Sequence, residues 1–516
     1  MEMSTRRQRL TTVSAGLLGG AIMALGQEPV SWPLAMLAGF LFLGDRFLRV
    51  RATRGAALLG WSAGLGYFAA SLYWIVEPFL VEPEVYGWMA PFALILLAGG
   101  LALFWAGAFA VAFLPRRSRA RAQLAGVAEA PNMQRRRVLL LPFVLTLAEM
   151  LRGTIFTGFP WGLPAYGWIN TPIAQNLSWA GPYGLTLITL LLGVLPLVWR
   201  HARVGLVLSA GALGGLWLWG DARLAPALPA RMPELRLRLI QPNAPQAEKW
   251  DPQKMPIFFR RQLNLTAADP SFAPDLVIWP ETAVPFWLGQ RPGLQRLVAD
   301  SAPPGATVII GARRAEGRRF FNALAVLGRD GQVAQRYDKA HLVPFGEYVP
   351  FGAFFARFGI TGLAAEDGGG FSAGPGAVLL DLGKAGKVRP LICYEAIFPA
   401  EIARGVARPD WMLQITNDAW FGRNAGPRQH FAQARARAIE QGLPMVRVAN
   451  TGITAVIGPR GRIRAQLPPR VAGKLDSLLP SALPPTPYSR MGDAPVLFFV
   501  LLGGFLLAWR RRKINH

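Results

Sequence analysis

The sequence predicts an α/β domain set between apolar helices, about seven before it and one after. Three observations predict it. Of 516 residues, 52% are hydrophobic and only 16% charged, with 17 tryptophans, which points to a membrane protein rather than a soluble one. Arginine clusters recur between apolar runs in alternation. Residues 233–475 instead carry short β-rich runs separated by helix-like stretches.

Eight apolar segments are readable, at about 11–26, 30–45, 55–76, 86–114, 138–151, 182–199, 204–219 and 494–509. Several fall short of the roughly 20 residues an untilted span prefers, so flanking amphipathic residues must extend them. Pro33 and Pro142 lie inside two of them, which a membrane helix tolerates where neighbours satisfy the freed backbone groups. Arg6, Arg7 and Arg9 precede the first segment, and Arg46, Arg49, Arg51 and Arg54 follow the second. Arg116, Arg117, Arg119, Arg121 and Arg135 to Arg137 lie between the fourth and fifth, Arg200 and Arg203 between the sixth and seventh, and Arg510 to Lys513 after the last. The intervening short loops lack basic residues; "EPFLVEPEVY" carries three glutamates instead. By the positive-inside rule this puts both termini in the cytoplasm and residues 220–493 outside it. The opening "TRRQRL" and its apolar run also resemble a signal peptide, loosely a twin-arginine one. The topology parity needs that segment retained, so it is read as a membrane helix.

Seven β-rich runs, among them "LRLRLIQPN", "DLVIWPE", "ATVIIGARR", "VRPLICYE" and "DWMLQITND", alternate with helix-like stretches over 255–267 and 426–441. A Pro-rich "LLPSALPPTPYSR" leads back to the last apolar segment. The expected domains are therefore a helix bundle over 1–220, an extracytoplasmic α/β domain with linkers over 221–485, and a final helix with a basic tail over 486–516.

The net charge of +25 could suggest nucleic acid, but the clusters flanking apolar runs explain most of the excess and no aromatic-interleaved basic face stands out. No nucleic-acid partner is expected. His201, His341, His430 and His516 are scattered, so no metal site is expected and no cofactor is called for. One cysteine rules out an intrachain disulfide.

That cysteine, Cys393, ends the run "VRPLIC". Alone it reads as a small buried hydrophobe. Other strand-like runs also end on polar residues: "LVIWPE" at Glu281 and "MLQITN" at Asn417 and Asp418. Strand ends of layered α/β proteins commonly converge on a site. "QRYDKAHLVPFGEYVP" adds Lys339 and Glu347. Basic residues here are overwhelmingly Arg, so a Lys marks a place where a compact ammonium with a tunable pKa serves better, or else an ordinary surface lysine.

"WPET", "YDKAHLVPFGEYVP", "ICYE" and "NDAWFG", in this order, resemble the carbon–nitrogen hydrolase (nitrilase) superfamily. With "EMLRG…FTGFPWG", "GPYG" and "QPNAPQAEKWDP", the likeness narrows to its membrane-bound branch, the apolipoprotein N-acyltransferase family, and covers nearly the whole chain. The resemblance implies a nitrilase-like αββα sandwich inserted between transmembrane helices. It implies Glu281 as general base, Lys339 as the transition-state-stabilising ammonium and Cys393 as nucleophile. Glu347 matches a second functional carboxylate and Glu395 a residue beside the nucleophile. Trp250, Tyr394 and Trp420 fall where the family has site or lipid-contacting residues. It further implies acyl transfer from a phospholipid, phosphatidylethanolamine by the family's habit, to the α-amine of a diacylated apolipoprotein, through a thioester and without cofactor. The location implied is the bacterial inner membrane with the α/β domain periplasmic; nothing demands more than a monomer.

The chemistry suits these residue types. A free thiol has a pKa near 8.5, so a carboxylate must take its proton and an ammonium must steady the anions that form. The stretch 342–366, rich in Phe, Val and Gly, reads as an arm over the site touching lipid, or as an internal packing loop. Two other functions share the motifs: a membrane-tethered amidase or nitrilase acting on small amides, and a scaffold with an inactive hydrolase domain.

Overall fold

A computed structural model describes residues 2–113, 131–269, 271–350, 370–402 and 404–509. The chain divides into two compact units, one of residues 1–79, 85–226 and 486–516 and the other of 80–84 and 227–485.

In the first unit, α1 (Glu2–Ala24), α2 (Pro33–Arg49), α3 (Thr53–Ser71), α4 (Ala90–Phe113), α5 (Pro131–Arg152), α6 (Leu177–Val198) and α7 (Ala202–Leu224) precede the second unit in sequence, and Ala494–Trp509 follows it. Most begin or end beyond the apolar segments expected from sequence. Arg6 to Arg9 and Arg135 to Arg137 are helical although polar, because Arg and Gln are good helix formers. The third segment instead breaks at Ser71, and Tyr73–Leu80 continues it as a 3₁₀ turn bent by 51°. Among the described residues, Pro83–Phe113, Pro172–Val198 and Ala202–Leu224 are long and apolar enough to cross a membrane. The last helix is apolar but short, and α1, α2 and α5 carry charged residues within them. Leu96, Leu103, Val207, Leu218, Phe498 and Phe499 are exposed on these helices, an apolar surface that water does not favour.

Helices α1, α3 and α4 approach closely through small residues: a Cβ on Gly20 would lie 2.0 Å from the Ala63 carbonyl oxygen, and one on Gly60 2.6 Å from that of Trp105. After α5 the chain runs irregularly to α6, and buried side chains satisfy its backbone. Arg152 donates to the carbonyls of Phe159 and Trp161 and pairs with Glu149. Glu149 also accepts the Trp105 indole N–H at 2.6 Å. Tyr67 donates to Gly162 O at 2.7 Å, and Gln27 donates to Leu163 O at 3.1 Å. A non-helical segment inside a helix bundle is tolerated only with such partners.

The second unit holds two six-stranded sheets. The first runs β12 (Gly473–Leu478), β1 (Arg236–Gln241), β2 (Leu276–Ile278), β3 (Thr307–Glu316), β4 (Arg319–Leu327), β5 (Val333–Asp338). The second runs β11 (Ile463–Leu467), β10 (Thr454–Ile457), β9 (Met445–Ala449), β8 (Trp411–Thr416), β7 (Lys387–Ile392), β6 (Leu380–Asp381). In each sheet a parallel trio, β1–β2–β3 or β7–β8–β9, is flanked by antiparallel strands. Helices α8 (Met255–Ala267) and α9 (Pro292–Asp300) cover the first sheet, burying Val277, Val308 and Ile310 against Phe259 and Val298. Helix α10 (Ala425–Gln441) covers the second, packing Phe431, Ala434 and Ala438 on Met412 and Met445. The other faces meet through β1 with β9 and β4 with β7, completing the αββα sandwich expected. All seven β-rich runs are strands. Five strands lie outside those runs, β5, β6, β10, β11 and β12; β6 is only two residues long, and β11 and β12 are at most half-buried.

The Glu149–Arg152 pair should dominate the stability of its unit. Arg152→Met leaves the Glu149 carboxylate buried without its cation, and a cost of about 3–5 kcal/mol is expected, read as a lower unfolding temperature in detergent. The double variant Glu149→Gln/Arg152→Met should recover part of that loss.

Candidate active site

Strand ends bring the candidate residues together. Beyond β2, Trp279 N donates to Ile309 O at 2.8 Å and Ala283 N to Gly311 O at 2.7 Å, so residues 279–283 ride along β3 and present Glu281. Gly311 permits this approach: a Cβ there would lie 2.3 Å from the Pro280 carbonyl oxygen. Lys339 follows β5, its N–H donating to Asn322 O at 2.8 Å. Cys393 and Asn417 follow the neighbouring parallel strands β7 and β8.

Glu281, Lys339 and Glu347 form one buried charged cluster. The Lys339 ammonium lies 2.9 and 2.8 Å from the two Glu347 oxygens and 3.7 Å from Glu281 Oε1. The Asn322 amide donates to Glu281 Oε1 at 2.6 Å and to Glu347 Oε1 at 3.1 Å. Asn417 N donates to Glu281 Oε2 at 2.6 Å, and Val343 N to Glu347 Oε2 at 2.9 Å. Burial opposes the Lys339 charge, but the Glu347 and Glu281 carboxylates hold its pKa above the ordinary value.

Cys393 is buried, and its pKa lies well above the ordinary value. Burial is the main cause and the Glu281 carboxylate adds to it, while Lys339 pulls the other way. The resting thiol is therefore protonated. Its backbone sits at φ +52°, a left-handed conformation that non-glycine residues rarely adopt. Two groups hold this bend. Gln414 Nε2 donates to Cys393 O at 3.0 Å, and His430 Nε2 lies 3.0 Å from the same oxygen.

Glu395 ties the elbow to the lysine loop. Its Oε2 accepts from Ile392 N at 2.7 Å. Its Oε1 accepts from Tyr337 OH at 2.6 Å, Ala340 N at 2.8 Å and His341 N at 3.1 Å. Burial raises its pKa, and the Tyr337 and Ile392 hydrogen bonds oppose that rise. Tyr394 instead joins an aromatic cluster, 5.6 Å from the His341 ring and 5.0 Å from Phe398.

Trp250 lines a cleft with Glu281, Thr282, Met255 and Phe258, and the Arg313 guanidinium stacks on it at 4.3 Å. Trp420 is partly buried in the short turn Asp418–Phe421 after β8. Residues 351–369, most of the expected arm, lie outside the described residues; of its start, Phe345 is exposed at φ +62°.

Other buried polar residues near the site, Asn322, His430 and Arg447 among them, were not singled out from the sequence, whereas Asp418 was, as the end of its strand. Asn322 sits mid-strand in a run that looks purely structural. Asp418, His430 and Arg447 form a buried network behind the elbow, with Arg447 Nη2 2.8 Å from Asp418 Oδ2 and His430 Nδ1 3.0 Å from Asp418 Oδ1. Burial would raise the Asp418 pKa, but Arg447 and His430 hold it below the ordinary range. Burial pushes His430 down. Only the "ITND" signal hinted at this group. Among the described residues, no three His, Cys, Asp or Glu side chains are grouped as a metal would need.

Residues 237–475 match the carbon–nitrogen hydrolase family model, and residues 19–195 match that of the apolipoprotein N-acyltransferase N-terminal domain. The apolipoprotein N-acyltransferase of Rhodopseudomonas palustris is 38% identical over 98% of this chain and 99% of its own. That of Rhizobium meliloti is 37% identical over 91% and 90%, and that of Caulobacter vibrioides 36% over 95% and 93%. The crystal structure of a CN-hydrolase superfamily protein from Xanthomonas campestris covers 52% of this chain and 97% of its own at 21% identity, with a TM-score of 0.35. Matches to both domain models and likeness to these relatives over nearly its full length make this chain a member of the apolipoprotein N-acyltransferase family.

Proposed function

We propose that this chain moves a fatty acyl group from a phospholipid to the N-terminal α-amine of the diacylglyceryl-cysteine of apolipoproteins, through a thioester on Cys393. One observation carries the reading: the buried Glu281 and Lys339 charges, held together by Glu347, act electrostatically on the elbow thiol in a chain of this family. In the first half-reaction Glu281 takes the thiol proton as sulfur attacks the ester carbonyl. The Lys339 ammonium steadies the oxyanion. As the tetrahedral species collapses, the lysophospholipid oxygen leaves with the proton from Glu281, and the thioester remains. In the second, the α-amine attacks the thioester, Glu281 takes the amine proton, and sulfur leaves and is reprotonated. An amide lies below a thioester in free energy, so transfer needs no nucleotide.

Glu347 is the partner that keeps Lys339 charged and aimed. Glu395 joins the elbow and the lysine loop, so it is a positioning residue. Trp250, Tyr394 and Trp420 are read as walls for lipid and acyl chain. Phosphatidylethanolamine is the donor implied by the family. Exposed apolar helices and the alternating arginine clusters support an inner-membrane protein with cytoplasmic termini, a periplasmic domain over 221–485 and helices over 1–220 and 486–516. No observation favours the amidase reading over transfer.

Wild-type protein incubated with phospholipid vesicles should gain the mass of one acyl chain on Cys393, and lipopeptide should discharge it. Acylation at a normal rate by Cys393→Ser would sink the nucleophile assignment. Lys339→Met should slow adduct formation by about 10²–10³-fold, as loss of a transition-state donor does, and Glu347→Gln should slow it by less, since the ammonium remains but loses the carboxylate that aims it. Glu395→Gln removes one ionised acceptor from four donors; a lower unfolding temperature together with slower acylation is expected, and a change in neither would show that its bonds do not set the elbow.

A further inference from the structure

Lys249, next to Trp250, is buried at 7% exposure at the end of the short helix Gln246–Lys249. Its ammonium donates to Thr282 Oγ1 at 2.7 Å and to the Glu281 carbonyl oxygen at 3.3 Å. Thr282 stands at φ +45°, so the turn presenting Glu281 is strained. Its two ends are fixed independently: Trp279 and Ala283 bond to β3, and Gln262 of α8 donates to Ala283 O at 2.8 Å. Only Lys249 bonds the carbonyl of Glu281 itself among the described residues.

Charge count points the same way. Glu281 and Glu347 face the single ammonium of Lys339, leaving one excess negative charge beside a thiol that must become an anion. A protonated Lys249 offsets it. Burial pulls the Lys249 pKa down to about 7, with the Glu281 carboxylate acting upward and Arg313, stacked on the far partner Trp250, acting further downward. Its charge can therefore change within the working range.

We propose that Lys249 is a positioning residue for Glu281: its ammonium pins the Glu281–Thr282 turn and balances the site's excess negative charge, so acylation slows once Lys249 loses its proton. The inference rests on the reading of Glu281 as base and adds a residue and a pH response to it.

The test is the rate of acyl-adduct formation on Cys393 against pH, using full-length protein and phosphatidylethanolamine vesicles, with thermal unfolding as a check on folding. The wild-type rate should decline as pH rises through about 7. Lys249→Arg, charged at every accessible pH, should keep its rate to about pH 9. Lys249→Met should be slower by about 10²-fold, the scale of a small misplacement of a catalytic group, and lack the decline. Thr282→Val removes the shorter hydrogen bond to the ammonium and should move the decline to lower pH, a readout that stands even where a Lys249 variant fails to fold. Superimposable profiles for wild type and the folded variants overturn the inference alone. No adduct on wild type at any pH overturns the acyl-enzyme reading, and this inference with it.

Discussion

The second unit is organised around ionised side chains kept from water. Lys339, Glu347 and Glu281 would each be costly to bury alone, by several kcal/mol per ion. They are tolerable only as a set, with Asn322, Asn417 N and Val343 N filling the remaining carboxylate positions. Those partners come from β4, the end of β8 and the loop after β5. Both sheets must therefore be assembled for the cluster to be satisfied, and the cluster in turn fixes how their strand ends face one another.

The Cys393 thiol depends on that arrangement in a second way. Burial and the nearby Glu281 carboxylate keep the Cys393 thiol protonated at rest, which lowers its reactivity towards adventitious chemistry. The strained elbow aims the sulfur, and the strain is held by groups that take no part in bond making: Gln414 and His430 on its carbonyl, Glu395 on the preceding amide. Stability spent behind the site in this way is the usual cost of a preorganised one. The Asp418–His430–Arg447 network extends the support outward to α10 and β9.

The helical unit applies the same rule in a different solvent. Where the chain after α5 abandons helical hydrogen bonding, Arg152, Tyr67 and Gln27 take up its carbonyls. The motif "EMLRG…FTGFPWG" thus includes a charged pair and the backbone it supports, a connection that apolar patterning does not convey.

Taken alone, the sequence was enough for the layered α/β class and seven of its strands, because buried parallel strands are continuously apolar; Glu281 and Cys393 stood out as the polar ends of such runs, Lys339 and Glu347 only through the motif that holds them. It did not determine helix ends, since arginine-rich flanks are helical without being apolar, nor strands β5, β6, β10, β11 and β12, which are two to six residues long and take their place from the strands they pair with. Only the tertiary structure decided which polar residues act together. Asn322 meets Glu281 and Glu347, Lys249 meets Thr282, and Arg447 meets Asp418 across 41, 25, 33 and 29 positions of chain. Hydrogen bonds and ion pairs act over a few ångströms of space, whatever the distance along the sequence, and folding alone sets which groups come that close.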